Sequence, residues 1–84
     1  MQAMRTLIVD DSSVFRTQIR LVLESISGIE IVGSASNGNS ALTIMEECQV
    51  DLVILDLEMP GLDGLSTLKA IREGKSKANV IMFA

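Results

Sequence analysis

The sequence contains no histidine, tryptophan or tyrosine, and it has one cysteine and one proline. Without histidine, the chain cannot assemble a Ser-His-Asp triad, a Cys-His pair or a His-ligated zinc site from its own residues. The single cysteine, Cys48, excludes an internal disulfide and a cysteine-cluster metal site, and we expect it to be a small buried apolar residue. With two Phe as its aromatics, the core must be aliphatic, which favours buried strands and Leu-rich helices in α/β layers.

Charge and hydropathy narrow the class of protein further. The 84 residues allow one small domain. The net charge is −4, and the seven Lys and Arg are scattered, so direct contact with nucleic acid is not expected. No run of 18 apolar residues is present, and Asp10 and Asp11 interrupt the first apolar stretch, so we expect neither a membrane span nor a secretory signal. These features together predict a cytoplasmic chain.

Short apolar runs alternate with stretches of helical periodicity. The pattern predicts strands at 5–9, 29–35, 50–55 and 80–83. It predicts helices at about 14–26, with Ser12 or Ser13 as N-cap, at about 40–48, and around Leu65, Leu68 and Ile71. We expect Asn37-Gly38 to form a turn. The order β-α-β-α-β-α-β predicts right-handed crossovers and a doubly wound parallel sheet. We expect this sheet to have the strand order 2-1-3-4, which is a common order of doubly wound sheets.

Three acidic residues follow two of the predicted strands. Asp10 and Asp11 come after the first strand, and Asp56 comes after the third. Each alone is explained by a helix entry or a turn. In a 2-1-3-4 sheet, however, strands one and three flank the switch point, beyond whose carboxyl ends ligands bind. A cluster of carboxylate oxygens there suits Mg²⁺, so the sequence predicts a phosphoryl-transfer site.

The residues also resemble a known family across essentially the whole chain. The ordered set Leu7-Ile-Val-Asp-Asp11, Asn37-Gly38, Asp51-Leu-Val-Ile-Leu-Asp56 and Met59-Pro-Gly-Leu-Asp-Gly64 closely resembles the receiver domain of bacterial two-component response regulators. The resemblance implies a flavodoxin-like fold, with Asp56 as the phosphoacceptor for a histidine kinase. It further implies a Mg²⁺ site formed by Asp56, by Asp11 directly, by Asp10 through water, and by the backbone carbonyl of Glu58.

The chain departs from the receiver pattern at its C-terminal end. Receivers usually carry Ser or Thr at the end of the fourth strand, where this chain has Ala84, and a Lys at the end of a fifth strand, which this chain lacks. We therefore expect residues 1–84 to be a receiver fragment without the last strand and helices. An uncovered fourth strand would favour oligomers or domain swapping.

The resemblance is greatest to the regulatory domain of chemotaxis protein-glutamate methylesterases. It is carried by Glu58-Met59-Pro60, Ile29-Glu-Ile-Val-Gly33 and Val80-Ile-Met-Phe83. In that family, phosphorylation of the receiver regulates an attached esterase domain, whose catalytic residues are absent here. The alternatives are a receiver with a DNA-binding output domain, an interaction module that takes no phosphate, and a haloacid-dehalogenase-like phosphatase. The Asp-x-Asp motif of such phosphatases fits neither Asp10-Asp11 nor Asp56-Leu57-Glu58.

Overall fold

The computed structural model describes residues 3–59 and 63–83. In chain order its elements are β1 (Met4–Val9), α1 (Ser13–Glu24), β2 (Ile29–Ala35), α2 (Gly38–Glu47), β3 (Leu52–Asp56), α3 (Gly64–Glu73) and β4 (Asn79–Phe83). The sheet is parallel throughout and has the order β2-β1-β3-β4. The predicted alternation and strand order are therefore confirmed. Within the described ranges, no helix is long and apolar enough to cross a membrane.

The main core lies between the sheet and the pair α2 and α3. Successive residues of a strand point to opposite faces, and the register places Leu7 beside Val53 and Val9 beside Leu55. These four side chains are completely buried, together with Ala41 of α2 and the nearly buried Ile71 of α3. Among the described residues, this core contains no aromatic side chain, as the composition predicts.

The opposite face of the sheet is packed against α1. We predicted an apolar stripe on this helix, and the stripe exists, but no α1 residue is fully buried. Val22 is 61% exposed, and Ile81 on β4 is 54% exposed. The physical reason is that α1 packs mainly on β1 and β2, and in the described part of the chain no second helix covers β3 and β4 on this face. Cys48, expected to be buried, is half-buried.

The predicted turn and the predicted start of the third strand both differ from the structure. The turn predicted at Asn37-Gly38 is wrong, because Asn37 is the N-cap of α2 and its Oδ1 accepts the Ser40 N–H at 2.8 Å. The third strand begins at Leu52 rather than Val50 and includes Asp56. Ser12 is confirmed as the N-cap of α1.

Candidate functional site

The three acidic residues singled out in the sequence meet at one edge of the sheet. Val9 pairs with Leu55 in the parallel register, so Asp10 and Asp56 follow side by side at the carboxyl ends of β1 and β3. One carboxylate oxygen from each of Asp10, Asp11 and Asp56 lies within 4.8 Å of the others. Asp10 is 3% exposed and Asp56 8%, whereas Asp11 is exposed. The arrangement offers a compact set of oxygen ligands.

A cavity of about 430 Å³ opens over these carboxylates. Besides the three acids, it is lined by Ser12, Phe15, Glu58 and Phe83. The rings of Phe15 and Phe83 lie with their centroids 5.3 Å apart and form an apolar wall beside the acids. The site thus combines a charged floor with one apolar side.

Backbone amides orient the two buried carboxylates. The Ser12 N–H donates to Asp10 Oδ1 at 2.8 Å, and the Glu58 N–H donates to Asp56 Oδ1 at 3.0 Å. The strand ends are fixed in turn, since the Asp10 N–H donates to the Ala35 carbonyl at 3.0 Å and the Leu57 N–H to the Phe83 carbonyl at 2.7 Å. Each carboxylate is therefore held by the loop that follows its own strand.

The electrostatics of the site favour a cation. Burial raises the pKa of Asp10 above its ordinary value; the Ser12 N–H bond opposes this, and the charges of Asp56 and Asp11 raise the pKa further. The one ion pair among the described residues, between Arg5 and Glu30, lies at the opposite end of β1. Among the residues that the structure describes, no Lys or Arg forms an ion pair with Asp10, Asp11 or Asp56. A hard cation would therefore relieve the repulsion between these three carboxylates.

Other residues predicted for the site have different outcomes. Glu58 lines the same cavity as the acids, so its backbone is close enough to belong to the site. Ala84, predicted to depart from the receiver pattern, lies outside the described residues, as do Pro60 and Gly61 of the Met59-Pro60-Gly61 loop. The metal and phosphoacceptor roles of Asp10, Asp11, Asp56 and Glu58 stay predictions.

Sequence reasoning missed three structural supports of the site. Arg16 Nη1 donates to the backbone carbonyl of Asp10 at 2.5 Å. Gly64 approaches the end of β3 so closely that its N–H donates to the Leu57 carbonyl at 3.2 Å. The Phe15–Phe83 pair joins α1 to β4. Helical periodicity places Phe15 on the sheet side of α1, but nothing in the pattern identifies which strand it meets.

Comparison with known proteins defines the class. The sequence profile of the response regulator receiver domain matches residues 6–84. The chain therefore belongs to the response regulator receiver domain family, and the four-stranded sheet with its acidic edge is the flavodoxin-like fold of that family. The haloacid-dehalogenase-like alternative is not supported.

Individual relatives point to two branches of the family. The chain is 46% identical, over all 84 residues, to the protein-glutamate methylesterase/protein-glutamine glutaminase of Trichodesmium erythraeum. It is 36% identical, over 93% of its length, to the nitrate/nitrite response regulator protein NarL of Escherichia coli. The response regulator domain of Thermotoga maritima CheB superposes with a TM-score of 0.89 at 34% identity, covering 96% of this chain and 60% of that one.

The chain is much shorter than its curated relatives. It spans 24% of the Trichodesmium methylesterase and 36% of the Escherichia coli regulator.

Proposed function

We propose that this chain is a phosphoacceptor of a two-component system, taking a phosphoryl group from a histidine kinase onto Asp56. The observation that carries the proposal is the convergence of Asp10, Asp11 and Asp56 at the ends of β1 and β3, with their oxygens within 4.8 Å. On this proposal Asp56 is the nucleophile and the two further acids lie beside it, which is an arrangement suited to metal-assisted phosphoryl transfer.

Asp56 is the group that reacts. A carboxylate oxygen of Asp56 attacks the phosphorus, a new O–P bond forms, and the P–N bond to the kinase histidine breaks with its electron pair going to the imidazole nitrogen. The product is an acyl phosphate. The Glu58 N–H holds the other oxygen, Oδ1 of Asp56, at 3.0 Å and so fixes the carboxylate plane for in-line attack.

Asp10, Asp11, Asp56 and the backbone carbonyl of Glu58 would hold Mg²⁺. An ion bound there would supply positive charge to neutralise the phosphoryl oxygens. The fit rests on the donor set, which is all oxygen, and on the fact that no Lys or Arg of the described residues forms an ion pair with these three acids. Phe15 and Phe83 line one side of the cavity and give it an apolar wall.

For the output, we propose a chemotaxis methylesterase domain attached to this receiver, acting in the cytoplasm. The identity of 46% to a methylesterase over the full chain supports this over the 36% identity to the regulator NarL. On this proposal the intact protein is the enzyme, and the receiver regulates it without touching the methylester. A receiver coupled to a DNA-binding domain is the alternative, and in neither case does this segment itself contact nucleic acid or membrane.

A second candidate is an interaction module that takes no phosphate. It is favoured by Ala84, which stands where receivers usually carry a hydroxyl residue. Both candidates have the same fold, and they differ in covalent chemistry.

The intact mass of the protein after incubation with Mg²⁺ and acetyl phosphate tests the proposal. We expect the gain of one phosphoryl group, lost in Asp56→Asn and when Mg²⁺ is chelated. Asp51→Asn is the matched control. Asp51 lies just before β3, at the end of the strand away from Asp56, and its carboxylate accepts the Arg5 N–H. Equal mass before and after incubation would favour the interaction module instead.

A further inference from the structure

Arg16 links α1 to Asp10, the residue that directly follows β1. Its Nη1 donates to the carbonyl oxygen of Asp10 at 2.5 Å, in a partly buried bond. The Arg16 N–H donates to the Ser12 carbonyl at 3.0 Å, as the first turn of α1 requires. The side chain therefore reaches back over one helical turn to the acidic edge of the sheet.

The bonded carbonyl belongs to the peptide unit that joins Asp10 to Asp11. On the other side of Asp10, its N–H donates to the Ala35 carbonyl at 3.0 Å. Both backbone polar groups of Asp10 are thus held, one by β2 and one by Arg16. Because a peptide unit is planar, fixing its carbonyl also fixes the direction in which the chain continues to Asp11. Asp11 is exposed, so burial does not hold its carboxylate, and the direction of its backbone affects where that carboxylate lies.

We propose that Arg16 is a positioning residue for the metal site. By holding the Asp10–Asp11 peptide unit, Arg16 keeps the carboxylates of both residues aimed at a shared cation. This inference rests on the proposed function, since it concerns the Mg²⁺ site described there. Groups that orient metal ligands commonly contribute about 10-fold or more to metal affinity or activity.

The charge of Arg16 would act in the opposite direction. A positive charge beside a cation site repels the cation, so removing that charge alone would strengthen Mg²⁺ binding. The guanidinium is bonded to the Asp10 carbonyl, and it forms no ion pair with the three acids in the described part of the chain. If Arg16 acts by positioning, removing its guanidinium should weaken Mg²⁺ binding. If it acts by charge, the same change should strengthen Mg²⁺ binding.

Three variants separate the possibilities. Arg16→Met keeps much of the aliphatic stem but removes both donor and charge. Arg16→Lys keeps the charge and one donor of similar reach. Arg20→Met removes the same charge one turn further along α1, from a residue that is also half-buried, and it is the matched control.

We would titrate Mg²⁺ into each ¹⁵N-labelled protein and follow the backbone amide shifts, which also report whether each variant is folded. We expect Arg16→Met to bind Mg²⁺ about 10-fold more weakly than the wild type, Arg16→Lys to recover most of the loss, and Arg20→Met to match the wild type. Should Arg16→Met fail to fold, Arg16→Gln takes its place with the same expected direction.

Equal or tighter Mg²⁺ binding by Arg16→Met, or by Arg16→Gln in its place, would overturn the inference, and so would an equal loss in Arg20→Met. A wild-type protein that binds no Mg²⁺ would instead overturn the proposed function, and this inference with it. The wild-type titration therefore distinguishes the two failures.

Discussion

Replacing Gly64 by alanine would place a methyl group in steric conflict with the backbone of Asp56 and Leu57. A Cβ at Gly64 would lie 2.5 Å from the Asp56 carbonyl oxygen and 2.6 Å from the Leu57 Cα. Both are backbone atoms at the end of β3, so no flexible side chain can move aside. Either α3 or the end of β3 has to shift.

The magnitude follows from the cost of overpacking. Forcing a methyl group into a filled space typically costs about 1–3 kcal/mol. In a domain of this size, each kcal/mol lowers the melting temperature by roughly 4–8 °C. Because the clash is with the carbonyl of Asp56 itself, we also expect slower phosphoryl uptake by the folded fraction.

Urea unfolding followed by circular dichroism measures the effect, since the sequence offers no Trp or Tyr for fluorescence. Gly74→Ala is the matched control: Gly74 has φ −76°, and a Cβ added there would lie 3.5 Å from its nearest atoms. We expect Gly74→Ala to leave stability unchanged or raised by up to about 1 kcal/mol. A Gly64→Ala protein within about 0.5 kcal/mol of the wild type would refute the reasoning.

Two further predictions concern the charge of the site and the edge of the sheet. Because the pKa of Asp10 is raised in the folded state, its ionisation opposes folding. In Mg²⁺-free buffer its contribution to stability therefore falls as pH rises above the ordinary value of 3.8. Asp10→Asn should raise the urea midpoint at pH 7, and Glu24→Gln, at an exposed acid, should not; an unchanged midpoint in both would contradict the pKa argument. We also expect the chain to self-associate through β4, an edge strand of the described sheet. Light scattering should show Ile81→Lys shifting the protein towards monomer and the exposed Leu21→Lys leaving it unchanged; a wild-type monomer at every concentration would count against this edge.

The fold was predictable because local and long-range signals agree. The nearly continuous apolar run before Asp56 predicts a strand buried on both faces, and β3 lies between β1 and β4. Parallel strands with intervening helices leave few possible topologies. The strand order then brings together acids that are 45 residues apart in the sequence, Asp11 and Asp56.

The features that the sequence did not predict depend on tertiary contacts between elements. The periodicity of α1 is the same whether its apolar stripe is covered or open, so the exposure of Val22 could not be predicted. The pair Asn37-Gly38 is compatible with both a turn and a helix start. In the structure the Ser40 N–H donates to the Asn37 side chain, so Asn37 caps a helix. The contact between Arg16 and Asp10 depends on how α1 lies on the sheet, which no spacing in the sequence specifies.

The most direct test of the account is to locate the phosphoryl group within the chain. After reaction with Mg²⁺ and acetyl phosphate, borohydride reduction converts an aspartyl phosphate to homoserine, which peptide mass mapping assigns to one position. The account predicts homoserine at position 56 and at no other, and none when Mg²⁺ is chelated. Modification at Asp10 or Asp11, or uptake that does not depend on Mg²⁺, would contradict it.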